Sequence, residues 1–281
     1  MDFFTAADGL RLAYDDRGEG PVLLCLPGLT RNMDDFEPVV DHFAHRARVI
    51  RMDFRGRGAS GFDPDYGHYN VLQESQDVIG LLDHLGLEQA AILGTSRGGL
   101  VAMTLAATAK HRLAGVCFND IGPVIEPAGL AYIMGYLGLP PIDPDFDTAL
   151  REVPKRMGTR FPNVPVEIWA NYIRRIWAVA DDGTLSLRYD PKLRDATLDQ
   201  MKAAEGQPAP DLWPLFAALE GLPLALIRGA NSDLLSLETA TQMQALRPDM
   251  IYSDVADRGH VPFLDEPESL SVITQFLDSL T

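Results

Sequence analysis

Short, unbroken apolar runs recur along the 281-residue chain, and they restrict its fold more than any other feature. Residues 22–26 (VLLCL) and 90–93 (AAIL) have no polar face at all. A strand of this kind must be covered on both sides, which is the condition of a central strand in a parallel sheet. On this pattern the candidate strands are 10–15, 22–26, 47–52, 90–94, 113–119, 223–228 and 250–254. Amphipathic stretches separate them. Val78, Ile79, Leu81, Leu82 and Leu85 recur at helical spacing within 74–85. The last stretch opens on the capping sequence Asp265-Glu-Pro-Glu268 and puts Leu270, Ile273, Leu277 and Leu280 on one stripe. Strand–helix alternation of this type predicts an α/β fold with a mostly parallel, doubly wound sheet.

The alternation stops at about residue 124 and resumes after 211. Between these points lie Pro140, Pro141, Pro144, Pro154, Pro162 and Pro165, with aromatic, helix-like segments. The segment reads as an insert, so that 1–123 and 212–281 form one core domain and 124–211 a helical cap. Charge supports the division: residues 124–211 carry 10 basic and 13 acidic side chains, whereas the remainder is net −13.

The whole chain is net −16, from 24 Lys and Arg against 40 Asp and Glu. Such a surface repels phosphate backbones and anionic lipid, and argues against nucleic acid as a partner. The longest stretch without a charged residue, 127–142, is interrupted by Gly129, Gly135, Gly138, Pro140 and Pro141 and does not suit a membrane span. The start, MDFFTAADG, lacks the basic-then-apolar pattern of a secretory signal. Cys25 and Cys117 sit inside apolar runs, as expected of buried, reduced thiols. A cytoplasmic protein acting on a small molecule is expected, and homo-oligomer formation is left open.

The chemistry concentrates at Gly94-Thr-Ser-Arg-Gly98, between the strand AAIL and the helix-like GGLVAMTLAATA. A serine at a sharp strand-to-helix turn projects its hydroxyl from the sheet edge, and the following helix offers its positive end to a developing anion. Ser96 is thus the candidate nucleophile. Of the six histidines, His42, His45, His84 and His111 lie on or beside helices, and His68 lies in a polar loop. His260 follows strand 250–254 and so leaves the same sheet edge as Ser96, which makes it the candidate base. Two carboxylates compete to orient it. Asp233 follows strand 223–228 and is preferred; Asp120, at the end of strand 113–119, is the alternative. The backbone N–H groups of Arg97 and of Leu29, in the loop after strand 22–26, are the candidate oxyanion donors.

Taken together, LPGL (26–29), DFRGRGAS (53–60), GTSRGG (94–99), RGANSDLL (228–235) and RGHVPFLDEPE (258–268) resemble the α/β-hydrolase fold superfamily nearly end to end. The resemblance implies an eight-stranded sheet, a structural role for 53–60, and a helical cap at 124–211. It also implies a serine hydrolase using Ser96, His260 and Asp233 through an acyl-enzyme, without metal or cofactor. Two departures stand out. Pro27-Gly28 replaces the His-Gly often found before the oxyanion donor, and Arg97 replaces the usual Met, Leu or Gln after the nucleophile.

The expected substrate is a carboxylic ester with a small or medium, largely apolar acyl group. Hydrolysis of a C–C bond or an enol-lactone, acyl transfer, perhydrolysis and non-catalytic ligand binding are the alternatives on this scaffold. Tyr132, Tyr136, Trp169 and Trp177 of the cap, with Arg31, are candidate substrate contacts. More than half of the cap aromatics are expected to form the cap's own core.

Overall fold

The computed structural model describes residues 1–207 and 210–280. In chain order the first half contains strands β1 (Asp2–Thr5), β2 (Arg11–Arg17) and β3 (Val22–Leu26), helix α1 (Glu37–Phe43), β4 (Arg48–Met52), α2 (Val71–His84), β5 (Ala90–Thr95), α3 (Arg97–Thr108) and β6 (Leu113–Asn119). There follow α4 (Pro127–Met134), α5 (Phe146–Met157), α6 (Val166–Ile176), β7 (Trp177–Val179), β8 (Leu185–Leu187), α7 (Leu193–Ala203) and α8 (Trp213–Ala217). The chain then returns to the main sheet with β9 (Leu224–Gly229), α9 (Leu237–Leu246), β10 (Ile251–Val255) and α10 (Pro267–Asp278).

Eight strands form one sheet in the order β1-β2-β4-β3-β5-β6-β9-β10. The pairs β1–β2 and β2–β4 are antiparallel, and the pairs joining β4, β3, β5, β6, β9 and β10 are parallel. All six residues of β5 and of β9 are buried, as central apolar strands require, with Arg228 of β9 satisfied by the Leu235 carbonyl and Asp254. Alternate residues feed two separate cores: Leu24 and Leu26 of β3 pack with α2 and α3, whereas Leu23 and Cys25 pack with α1 and α10. Cys25 and Cys117 both lie in the second core as free, buried thiols, and burial pushes both thiols up from their ordinary range.

All seven strands expected from the apolar runs are present, with ends shifted by a residue or two. The first strand, β1, has no counterpart among them. It is a four-residue edge strand in which only Phe4 is buried, too short for its pattern to separate from a loop. Among the described residues of 124–211, the two-stranded β7–β8 hairpin departs from the all-helical expectation. Phe161, Trp169, Ile173 and Leu185 of this region form an aromatic cluster with Phe263 from the loop after β10. Two strand-like contacts are made outside the sheets, and one, Arg57 with Tyr189, ties this region to the loop after β4.

That loop is built around Asp53. Its carboxylate accepts from the N–H of Met33 at 2.7 Å and of Ala59 at 2.8 Å, while Ser60 Oγ donates to the Asp53 carbonyl. Burial pushes the Asp53 carboxyl up to about 6 against the pull of those two N–H groups. Among the described residues no helix is long and apolar enough to cross a membrane.

Candidate active site

Parallel strands that share a direction deliver their C-terminal loops to one edge, and three such loops meet here. Ser96 occupies the turn from β5 into α3 with φ +49°, a left-handed backbone that costs a non-glycine residue roughly 1–3 kcal/mol. Its neighbours must be glycine for steric reasons. A Cβ on Gly94 would stand 2.6 Å from Gly99 N, and one on Gly98 would stand 2.7 Å from the Leu26 carbonyl carbon. The turn therefore packs against both its own helix and the end of β3.

His260, in the loop after β10, places Nε2 at 3.0 Å from Ser96 Oγ. Its Nδ1 lies 2.7 Å from Asp120 Oδ2. With Nδ1–H donating to Asp120, Nε2 is free to accept from the serine hydroxyl. Asp120 is fully buried and accepts two further hydrogen bonds, from Gly229 N to Oδ1 at 2.8 Å and from Ser232 Oγ to Oδ2 at 2.7 Å. Its charge is thus fully solvated by protein donors.

The carboxylate at His260 is therefore Asp120 and not Asp233, the residue preferred from the sequence. Asp233 accepts instead from Arg160 Nη1 at 3.0 Å, with 28% of its side chain exposed. The reason lies in strand order. β6 is the direct neighbour of β5, whereas β9 is one strand further away, and strands are about 4.8 Å apart. A carboxylate at the tip of β6 is nearer to a base standing over β5. Ser232, which supports Asp120, was not anticipated.

The two candidate oxyanion residues flank Ser96. Arg97 is the first residue of α3, and a Cβ on Gly28, the residue before Leu29, would stand 3.8 Å from Ser96 Cβ. The N–H groups of Leu29 and Arg97 donate to no protein acceptor among the described residues. The first N–H groups of a helix have no intrahelical acceptor, and they are suited to an anion.

The expected substrate contacts divide. Tyr132 and Tyr136 have 42% and 41% of their surface exposed and stand edge-to-face at 5.6 Å. Burial nevertheless pushes the Tyr136 phenol up, with Tyr172 adding to the rise and Arg31 opposing it. Arg31 forms part of the same group: its guanidinium lies over the Tyr172 ring at 4.8 Å and makes a two-pronged pair with Asp35. Arg160 lies over the Tyr132 ring at 3.4 Å. A cavity of about 30 Å³ is lined in part by Arg31, Thr95, Asn119, Tyr172 and Val261, the residues before Ser96 and after His260 among them. Trp169, in contrast, is 3% exposed and meets Phe161, Tyr172 and Phe263 edge-to-face, so it belongs to the aromatic cluster that joins 124–211 to Phe263. Trp177 is half-buried against the same core. Neither tryptophan is placed as a substrate contact.

One cluster among the described residues has the donor types of a metal site: Asp8, Asp63 and His68. The fully buried Arg55 guanidinium already pairs with Asp8 and Asp63, so the cluster is an ion-pair network rather than an open set of ligands.

A strand-to-helix serine, a histidine from the last core loop and a buried aspartate on one edge of this sheet are features of one fold family. The chain belongs to it: the family model for the alpha/beta hydrolase fold matches residues 21–267. The chain is 33% identical to the 3-hydroxybutyrate-oligomer hydrolase of Cupriavidus necator, covering 95% of this chain and 92% of the relative. It is 28% identical to the 2-(acetamidomethylene)succinate hydrolase of Mesorhizobium japonicum, over 96% and 92% of the two chains. Among solved structures, an alpha/beta hydrolase from Novosphingobium aromaticivorans superposes with a TM-score of 0.89 at 38% identity, covering 99% of this chain and 97% of that one.

Proposed function

We propose that this protein is a serine hydrolase of carboxylic esters, in which Ser96 attacks, His260 moves the proton and Asp120 orients His260. The observation that carries this reading is the continuous relay of 3.0 Å from Ser96 Oγ to His260 and 2.7 Å from His260 to Asp120. As Oγ forms a bond to the acyl carbon, His260 Nε2 takes the hydroxyl proton, and the carbonyl electrons move onto oxygen. The N–H groups of Leu29 and Arg97 hold that oxyanion. Collapse expels the leaving alkoxide, which takes the proton from His260. Water then attacks the acyl-enzyme by the same steps and releases the acid.

Residues 124–211 act as a lid that contributes Tyr132, Tyr136 and Tyr172 to the chamber. Three phenol groups, with Arg31 and Arg160 against their rings, suit an acyl chain that carries oxygen. This revises the expectation of a largely apolar acyl group. A 3-hydroxyacyl ester with a free carboxylate fits such a wall, and the name of the C. necator relative points to the same chemistry, since hydroxy acids join head to tail through esters.

The test is a panel of p-nitrophenyl butyrate, linear 3-hydroxybutyrate dimer and trimer, and the methyl ester of the dimer. Native protein is expected to hydrolyse the free-acid dimer with a higher kcat/KM than its methyl ester, and Ser96→Ala to hydrolyse none. A fluorophosphonate probe is expected to label the native protein and not Ser96→Ala. Absence of labelling, or turnover by Ser96→Ala, would refute the nucleophile. Equal rates on the acid and its methyl ester would refute the carboxylate preference alone.

A further inference from the structure

Three buried charges lie behind Ser96 and take no part in the proton relay. Arg57, from the loop after β4, and Glu74, from α2, both have fully buried side chains, and Arg97 is 12% exposed. Arg57 Nη2 lies 2.9 Å from Glu74 Oε1, and Arg97 Nε donates to Glu74 Oε2 at 2.6 Å. One carboxylate thus hydrogen-bonds Arg97 and stands in an ion pair with Arg57 that lacks hydrogen-bond geometry. Burying such charges is costly, and a hydrophobic trio of the same volume would often be as stable. Their placement therefore calls for a reason other than stability.

The reason is visible at their far ends. Arg57 Nε donates to the Leu29 carbonyl at 2.9 Å. In the same loop Arg31 N donates to the Gly28 carbonyl at 3.1 Å. The Gly28 carbonyl and the Leu29 N–H share one trans peptide plane and point in opposite directions, so fixing that carbonyl aims that N–H. The Leu29 carbonyl belongs to the next plane. With both planes held, the Leu29 N–H has no freedom to swing. The other donor, Arg97 N–H, belongs to the residue whose side chain Glu74 grips, and Arg97 Nη2 is held further by the Tyr69 carbonyl at 3.3 Å.

We propose that Arg57 and Glu74 are the positioning residues of the oxyanion hole, joining the Leu29 and Arg97 donors into one rigid frame through the chain Leu29 carbonyl–Arg57–Glu74–Arg97. The proposal rests on the reading of Ser96 as the nucleophile. It also explains why arginine follows the nucleophile here: its side chain is directed back to α2, away from substrate.

The experiment compares Arg57→Lys and Glu74→Gln with native protein. Asp77→Asn is the control for loss of buried charge, because the Arg55–Asp77 pair is equally buried and touches neither donor. Each variant is assayed for p-nitrophenyl butyrate hydrolysis, for inhibition by n-butylboronic acid, which forms a tetrahedral adduct, and for melting temperature. Arg57→Lys and Glu74→Gln are expected to lose about 10- to 100-fold in kcat with KM changed less than about threefold. Their boronate Ki is expected to rise by the same factor, and the pH–rate midpoint to stay at the native value, since His260 and Asp120 are untouched. Asp77→Asn is expected to lower the melting temperature with kcat and boronate Ki as in the native protein. If Arg57→Lys does not fold, Glu74→Gln, which keeps the volume, decides. Losses no larger than those of Asp77→Asn would overturn the proposal while leaving Ser96 as nucleophile. Failure of the native protein to bind boronate would remove the nucleophile and this proposal together.

Discussion

Replacing Asp120 by Asn tests the central assignment most sharply, because Asp233→Asn supplies a matched comparison at the same sheet edge. Asp120 meets three donors: Gly229 N, Ser232 Oγ and His260 Nδ1. An amide of the same shape can keep some of these, but it also presents an NH2 group. Directed at His260, that group favours the imidazole tautomer with the proton on Nε2, which cannot accept from Ser96. The imidazolium formed during attack also loses its counter-charge. Two unit charges roughly 4 Å apart at an effective dielectric of about 20 interact by about 4 kcal/mol. Tautomer and charge losses together fit a fall in kcat of about 10⁴, equivalent to about 5.5 kcal/mol. Asp233→Asn breaks only a partly exposed pair with Arg160, so kcat should stay within about threefold of native. Steady-state hydrolysis of p-nitrophenyl butyrate reads both. The reasoning is wrong if Asp233→Asn is the more damaging variant, or if Asp120→Asn keeps a tenth of native kcat.

Gly98→Ala should lower stability by about 2–3 kcal/mol, since the new methyl meets the Leu26 backbone, which cannot give way as a side chain can; an unchanged melting temperature would contradict the packing described. Trp169→Ala should cost about 3–5 kcal/mol and expose 124–211 to limited proteolysis. If only KM changed, Trp169 would be a pocket residue after all. Asp15 is buried, which opposes its charge, but Arg17 and Arg51 win and hold its carboxyl down at about 2. A depressed carboxylate adds stability above its unfolded pKa and loses it as pH falls through the folded one. Its contribution, about 2 kcal/mol at neutral pH, should therefore fade between about pH 4 and 2. Urea midpoints of native protein and Asp15→Asn should differ at pH 7 and converge over that window.

Much of the frame was legible because its signals are local. A strand such as VLLCL, with residues directed into two cores, has no other stable setting. Ser96 and His260 were legible because a strand, its following loop and its direction are all readable along the chain. The carboxylate that hydrogen-bonds His260 was not, because the choice between Asp120 and Asp233 depends on which strand lies beside β5, and lateral order leaves no trace in linear spacing. The partner of the Arg97 side chain was hidden for a related reason, since Glu74 lies 23 positions upstream. A hint did exist: Glu74 and Asp77 fall on the face of α2 that Val78, Leu81 and Leu82 bury, where unpaired acids could not stay charged. Trp169 shows the limit of amphipathicity, which reveals that one face of α6 is covered but not by what.

The position of Asp120 at the end of β6 has an effect on the neighbouring loop. Within residues 230–235, Ser232 hydrogen-bonds Asp120, while Asn231 and Asp233 clasp Arg160 of the segment 124–211. The carboxylate that meets His260 and the pairs that hold Arg160 thus sit after different strands, so on the proposed reading the grip on 124–211 can be exchanged for another pair while the Ser96–His260–Asp120 contacts stay as they are.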